Sequence, residues 1–460
     1  MTGSDLAALS CVQLAAAIRE RRTSSVAAME AVLERARAVQ PRLNCFLRID
    51  AEAALAAAHL ADRKLGRGHV RGPLHGVPMA HKDMYYRRGV VSTCGSKILR
   101  DTPATATAKV LEHLDAAGAI QFGVLNMAEF AMGPTGHNWH YGHCRNPWDP
   151  ERITGGSSSG SGAAVAARAA FAALGSDTGG SVRLPAAFCG ISGVRPTHGR
   201  VSVENILPLC PSLDTVGPLT RTLEDAAVIL GVIAPGLAFD LEKPVAGLRI
   251  GRPRQLFYVG CDAEIAQAME ASLEVFRRLG ASVVDVDLPD FSALSAAGAV
   301  LHAAEANPFH DEWFRTRPQD YSPQVRERLE RGRPTLALDY VKALRARGPA
   351  IAAFCDAVFS KADLVHGPVV SFATPTIAET DLATGEAAAQ MLGRFVRLTR
   401  PISYLGLPVA CANAGFTRAG MPIGMQLIAP PLDEATALRA GHAFQRATEW
   451  HLRAPSLSAG

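Results

Sequence analysis

The chain has 460 residues, enough for one large domain or two to three ordinary ones, and its 48% hydrophobic and 20% charged content suits a globular protein with a sizeable core. The formal net charge is only +4, and the 47 basic residues, forty arginines and seven lysines, form no run or arm of the kind that binds nucleic acid. Nine scattered cysteines without a CxxC argue against a disulfide framework or structural zinc, and no window nears ~18 uninterrupted apolar residues, so the expectation is a cytoplasmic protein without a membrane span.

In chain order, Ser10 and Gln13 form a capping box ahead of an apolar stripe with Leu14 and Ile18. A second helix follows from about residue 25, with Val26, Met29, Val32 and Leu33 at helical spacing, and an alanine-rich third over 50–62. Residues 73–82 (PLHGVPMAHK) are apolar and bounded by glycine, which predicts a buried strand with a charged tip. A helix over 109–116, a strand over 119–123 and a small-residue helix over 162–174 follow.

The alternation continues with strands over 248–252 and 282–286 flanking a helix over 263–279, then strands over 363–370, 407–413 and 422–428. This is an α/β pattern around a large mixed or parallel sheet. Residues 295–350 are charged, arginine- and proline-rich and helical in character, an excursion that caps a pocket or merely decorates the surface. No linker or repeat divides the chain, so the expectation is one domain over 1–460: N-terminal helices to 65, a core over 66–235, and a C-terminal part from 236.

Several motif tests fail. There is no GxxxxGK[ST], no GxGxxG after a strand and no HExxH. Gly156 to Gly160 (GSSSG) satisfies GxSxG, but the preceding NPWDPER holds two prolines and three charges and cannot be the strand a nucleophile elbow needs. His137, His140, His143 and Cys144 are suitable ligand types, yet their spacing fits no standard zinc pattern, so they read as pocket lining with no metal.

Two features remain. In SDTGGSVR (176–183) the paired glycines mark either a tight turn or a backbone kept open around a nucleophilic Ser181. Lys82 ends an apolar segment, where desolvation would lower its pKa toward that of a usable base; a snorkelling surface lysine is the plainer alternative. With Ser157, Ser158 and Ser159 nearby in a Gly-rich loop, these residues are suited to nucleophilic catalysis of the Ser–Lys kind.

Over almost its whole length the chain resembles the amidase signature family. The carrying segments are PLHGVPMAHKDM (73–84), NMAEFAMGPTG (126–136), RNPWDPERITGGSSSGSGAA (145–164) and ALGSDTGGSVRLPAAFCGISGVRPTHGRVS (173–202). SLDTVGPLTRTLEDAA (212–227), GLPVACANAG (406–415) and GMPIGMQLIA (420–429) extend the match. The resemblance implies a single α/β domain around a large mixed sheet covered by helices on both faces.

It also implies a triad of Lys82, a cis-bonded Ser157 and the acyl-accepting Ser181. Thr178, Gly179, Gly180 and Ser181 match the oxyanion hole, Ser158, Asp177 and Arg183 the supporting positions, and Ala131, Met132 and Gly133 the substrate loop. GGSSSGSG stands where GGSSGGS is commoner, with Ser159 and a helix starting at Gly162 as the local consequences. The expectation is a cofactor-independent hydrolase of carbon–nitrogen amide bonds, with carbamates or esters as further substrates. Its partners would be a small amide or carbamate, with no nucleic acid and no membrane, in a monomer or homodimer. The same motifs are similar to those of the amidase component of tRNA-dependent amidotransferases, which implies the alternative of a glutamine-hydrolysing chain that releases ammonia for partner subunits.

Overall fold

The computed structural model describes residues 3–382 and 384–457. The described residues build one mixed sheet of eleven strands. These are β1 (Phe46–Ile49), β2 (Pro78–Lys82), β3 (Ile120–Leu125), β4 (Ala172–Asp177), β5 (Ser192–Arg195) and β6 (Thr215–Thr220), then β7 (Arg249–Arg252), β8 (Ser282–Asp285), β9 (Leu364–Pro368), β10 (Val409–Phe416) and β11 (Pro422–Ile428). Their spatial order is β1-β3-β2-β4-β6-β5-β10-β11-β9-β7-β8. Pairings β2–β3, β2–β4, β7–β8 and β7–β9 are parallel, and the rest antiparallel.

Successive side chains of a strand point to opposite faces, so a strand buried at every position needs cover on both sides. β2, β4, β6 and β11 are buried throughout, and helices cover both faces of the sheet. The α/β reading thus holds for a single-domain fold. The capping box of Ser10 and Gln13 opens the helix Cys11–Arg19, and the helices Ser25–Leu43, Ala51–Gly66 and Lys109–Ala116 lie where periodicity puts them.

The small-residue segment departs from expectation. Its helix starts at Ser159 rather than Gly162 and ends at Ala166, and residues 172–177 form β4. Alanine is compatible with both states, and the central position in the sheet overrides its helix propensity. Three strands carry no periodic signal: β1 and β5 are four residues long, and β6 contains Gly217-Pro218, which reads as a turn yet lies between β4 and β5. The excursion is helical as expected, with helices Phe291–Thr316, Pro323–Gly332 and Ala337–Phe354.

Candidate active site

β2 and β4 are parallel neighbours, with Ala80 opposite Ala173 and His81 opposite Leu174, so both strands deliver their C-terminal ends to one place. Crevices beyond the carboxyl ends of strands are the usual ligand sites of α/β sheets. Lys82 ends β2 and is fully buried; its Nζ donates to Ser157 Oγ at 2.6 Å and to Ser176 Oγ at 2.9 Å. No carboxylate pairs with it among the described residues: Asp83 turns to the 93–95 loop, where Thr93 N donates to it at 3.0 Å. Burial pushes the Lys82 ammonium down to about 7, against the weaker opposing pull of Asp214 and Asp177.

His81, one residue earlier, points by strand alternation to the other face. There it meets Gln121 at 3.1 Å, and burial pushes it down to about 4.

Ser157 follows a cis peptide bond from Gly156. Gly156 cannot be replaced without collision, because a Cβ there would meet Gly133 O at 2.4 Å. Ser158 Oγ donates to Ser176 O at 3.3 Å and Ser159 Oγ to Asn126 O at 3.3 Å, which leaves Ser157 as the loop hydroxyl facing the lysine.

Ser181 lies across from this loop; Ser158 N donates to Ser181 O at 3.4 Å, so the two segments touch. Ser181 is 9% exposed and lines a cavity with Thr178, Gly179, Ala131 and Gly133, while Met132 lines the adjoining outer cavity. Its Oγ makes no hydrogen bond among the described residues, and the N–H groups of Gly179, Gly180 and Ser181 have no protein acceptor there. These groups are available to a bound oxyanion.

The two glycines differ. Gly180 has φ +137°, and a Cβ on it would stand 2.6 Å from Thr399 Oγ1. Gly179 would meet nothing within 4 Å, so its missing side chain leaves cavity space rather than relieving a clash.

Asp177 anchors the loop from below. Its carboxylate accepts from Arg183 Nε and Nη2 at 3.0 and 2.9 Å, from Arg195 Nη1 at 3.0 Å and from Val182 N at 3.2 Å, and all three charged side chains are fully buried. Burial alone would raise Asp177, but the two guanidiniums outweigh it and hold the carboxyl well below its usual range. Arg183 also reaches Thr399 O at 3.1 Å and Ser403 Oγ at 2.6 Å, and Thr399 Oγ1 donates to Gly179 O at 2.6 Å. Thr178 Oγ1 donates to Asp214 at 2.5 Å.

Ser176, Arg195, Asp214 and Thr399 were missed by the sequence reading. Arg195 could have been found as a charge inside an otherwise apolar stretch shortly after Ser181, whereas Thr399 is brought in only by the fold. The three loop histidines take separate partners: His137 meets Thr380 Oγ1 at 2.9 Å, His140 meets Glu129 at 2.8 Å and His143 meets Asp381 at 3.5 Å. Among the described residues no group of three His, Cys, Asp or Glu is arranged to hold a metal ion, and no helix is long and apolar enough to cross a membrane.

Comparison with known proteins adds three relatives. The chain is 39% identical over 472 residues to the A-type chain of the glutamyl-tRNA(Gln) amidotransferase of Chloroflexus aurantiacus, covering 94% of this chain and 95% of that protein. Among solved structures, a chain of a vestigial protein complex that reveals the evolutionary origins of an s-triazine catabolic enzyme superposes with a TM-score of 0.87 at 35% identity, covering 95% of this chain and 98% of that one. 6-Aminohexanoate cyclic dimer hydrolase superposes with a TM-score of 0.88 at 25% identity, covering 98% and 99%.

These names correct one expectation. A relative that forms part of an enzyme named for a tRNA contradicts small-molecule partners alone, no nucleic acid and a lone monomer or homodimer. Composition registers only contacts made by a chain's own charges; it is blind to a nucleic acid reached through another chain of a complex. The amidase family model matches residues 27–438, and this chain belongs to that family.

Proposed function

We propose that the chain hydrolyses a carbon–nitrogen amide bond through an acyl-enzyme on Ser181. Neutral Lys82 takes the Ser157 proton as Ser157 takes that of Ser181, whose Oγ attacks the carbonyl carbon. The oxyanion forms against the N–H groups of Gly179, Gly180 and Ser181, and each such donor lowers the barrier by roughly 3 kcal/mol. As the tetrahedral intermediate collapses, the C–N bond breaks and Ser157 returns the proton to the departing nitrogen. Water then adds to the acyl carbon and releases the acid and Ser181. A carbamate or ester carbonyl would pass through the same steps.

The observation that carries this reading is a fully buried lysine, with no carboxylate partner among the described residues, 2.6 Å from a serine hydroxyl. Following the amidotransferase relatives, the amide donor is glutamine, and the ammonia serves partner subunits of a glutamyl-tRNA(Gln) amidotransferase. One observation favours a second reading, an amide other than glutamine: among the described residues no carboxylate lines the cavity at Ser181 to receive an amino acid's ammonium group.

A fluorophosphonate should add once, on Ser181, by intact mass and peptide mapping, and Ser181→Ala should abolish both labelling and amide turnover. Labelling of Ser158 in place of Ser181 would refute the assignment. Glutamine hydrolysis by the chain co-purified with its partner subunits, absent with other amides, selects the first reading.

A further inference from the structure

The other face of β2 borders a second cavity, which the acyl-transfer steps leave unused. It encloses about 830 Å³, with His81 of β2 and Gln121 of β3 side by side in its lining. The helix Ala51–Gly66 supplies a wall, on which Ala53, Ala54, Ala57 and Ala61 recur at helical spacing along one face. Methyl groups in place of longer side chains keep that wall flat and the space open. The volume is ample for a small organic molecule.

His81 is 5% exposed, and its hydrogen-bond partner among the described residues is Gln121, whose Oε1 meets Nδ1 at 3.1 Å. A carboxamide oxygen only accepts, so Nδ1 holds the proton. Burial keeps the ring neutral by pushing it down to about 4, which leaves Nε2 a bare acceptor. Gln121 Nε2 is buried and donates to nothing. The two side chains therefore present one unused acceptor beside one unused donor. Exchanging the amide's oxygen and nitrogen reverses these roles and keeps the pair. Buried polar groups of folded proteins have partners, so the pair marks a place completed from the cavity.

Charge is the second, independent feature. Asp50, Asp83 and Asp115 line the cavity and each is engaged: Asp50 by Arg48 at 2.9 Å, Asp83 by Thr93 N at 3.0 Å and Asp115 by Arg87 at 2.9 Å. Lys64, on the same helix face as Ala57 and Ala61, and Arg71 line it as well. Among the described residues neither of these side chains has a hydrogen bond or ion pair. The lining offers two uncommitted cations.

We propose that this cavity is a second ligand site, taking a planar nitrogen heterocycle that bears a phosphate, as a purine nucleoside monophosphate does. A donor and an acceptor adjacent on the ring edge meet His81 and Gln121. The flat alanine wall favours a ring over a chain, and two cations suit the near-dianionic phosphate monoester. The site lies across β2 from Lys82 and stands whether or not Ser181 carries an acyl group.

Isothermal titration calorimetry of the whole chain with adenosine 5′-monophosphate, adenosine and ribose 5-phosphate tests it. The monophosphate should bind roughly 10- to 100-fold more tightly than either half, the scale of hydrogen bonds to charged groups. Gln121→Leu should weaken the monophosphate by roughly 10-fold and leave ribose 5-phosphate unchanged. Lys64→Met combined with Arg71→Met should erase the advantage of the monophosphate over adenosine. Ala57→Phe fills the cavity from its wall while sparing every polar group, and should abolish binding. Circular dichroism checks that each variant is folded, and Ser181→Ala should bind as the wild type does.

Absence of monophosphate binding at millimolar concentration overturns the inference. Equal affinity for the monophosphate and ribose 5-phosphate also overturns it, since that reports cations alone. Binding that survives Ala57→Phe, or is lost in Ser181→Ala, places the ligand elsewhere and does the same.

Discussion

Replacing Lys82 with methionine keeps the length of the side chain and removes its charge, which turns the burial of this lysine into a measurable dependence of stability on pH. In the folded chain Lys82 titrates near 7, while in the unfolded chain it takes the ordinary lysine value of ~10.4. The folded-state value is depressed, so between these two pH values the unfolded state binds more protons and stability rises with pH. Below about 7 both states hold the proton and the penalty is constant. Each pH unit well inside the window is worth about 1.4 kcal/mol, and less close to pH 7 where the folded lysine is half protonated, so the wild type should gain roughly 2 kcal/mol on Lys82→Met between pH 7 and pH 9.

Urea titrations of the two proteins at pH 6, 7, 8 and 9 measure that difference, and subtraction cancels every other titrating group. On the same scale, wild-type kcat/KM should fall tenfold per unit below pH 7, because only the neutral amine can accept the Ser157 proton. Lys82→Arg should be inactive throughout, since guanidinium stays protonated. A stability difference flat from pH 6 to pH 9 would mean that Lys82 is either solvated or neutralised by a partner, and the base would have to be sought elsewhere. His81 is a poor substitute, because it faces the opposite side of β2.

Asp177→Asn should cost about 3–5 kcal/mol of unfolding free energy by urea titration, since it strands Arg183 and Arg195, both without solvent exposure. A loss under 1 kcal/mol would mean that the two guanidiniums find other acceptors. Gly180→Ala should lose about 1–3 kcal/mol from the strain of φ +137° alone, with the Thr399 collision added, and thermal melts will register it. Gly179→Ala, with open space around its Cβ, should melt within about 0.5 kcal/mol of wild type but lose turnover as the methyl group enters the cavity at Ser181. Equal melting losses for the two alanines would refute the distinction drawn between the glycines.

Much of this was readable in the chain itself, for reasons specific to each segment. Cys11–Arg19 announces its start with a capping box, and Pro422–Ile428 is an apolar run broken only by Gln426 between turn residues. β4 was not readable, because an alanine run has no period of its own and its state is decided by the strands on either side. β6 was hidden by Pro218, which belongs by rule to an edge and here stands opposite Leu174 inside the sheet.

At the site, Lys82, Ser157 and Ser181 stood out because charge, glycine and hydroxyl interrupt apolar surroundings. Their grouping came from the family resemblance and not from spacing, since 75 residues separate Lys82 from Ser157 in the chain.

The bonds from Thr399 to Gly179 and from Arg183 to Thr399 and Ser403 span 216 to 220 residues of sequence. A ribosome adds residues at roughly 5–20 per second, so the segment around Ser181 waits on the order of ten seconds or more for the partners that hold its backbone. During that interval the serine loop lacks the groups that fix its shape, however early β2 and β4 pair. Hydrolytic competence is therefore withheld until most of the polypeptide exists. A chain truncated anywhere before residue 399 would release no partly active amidase into the cell.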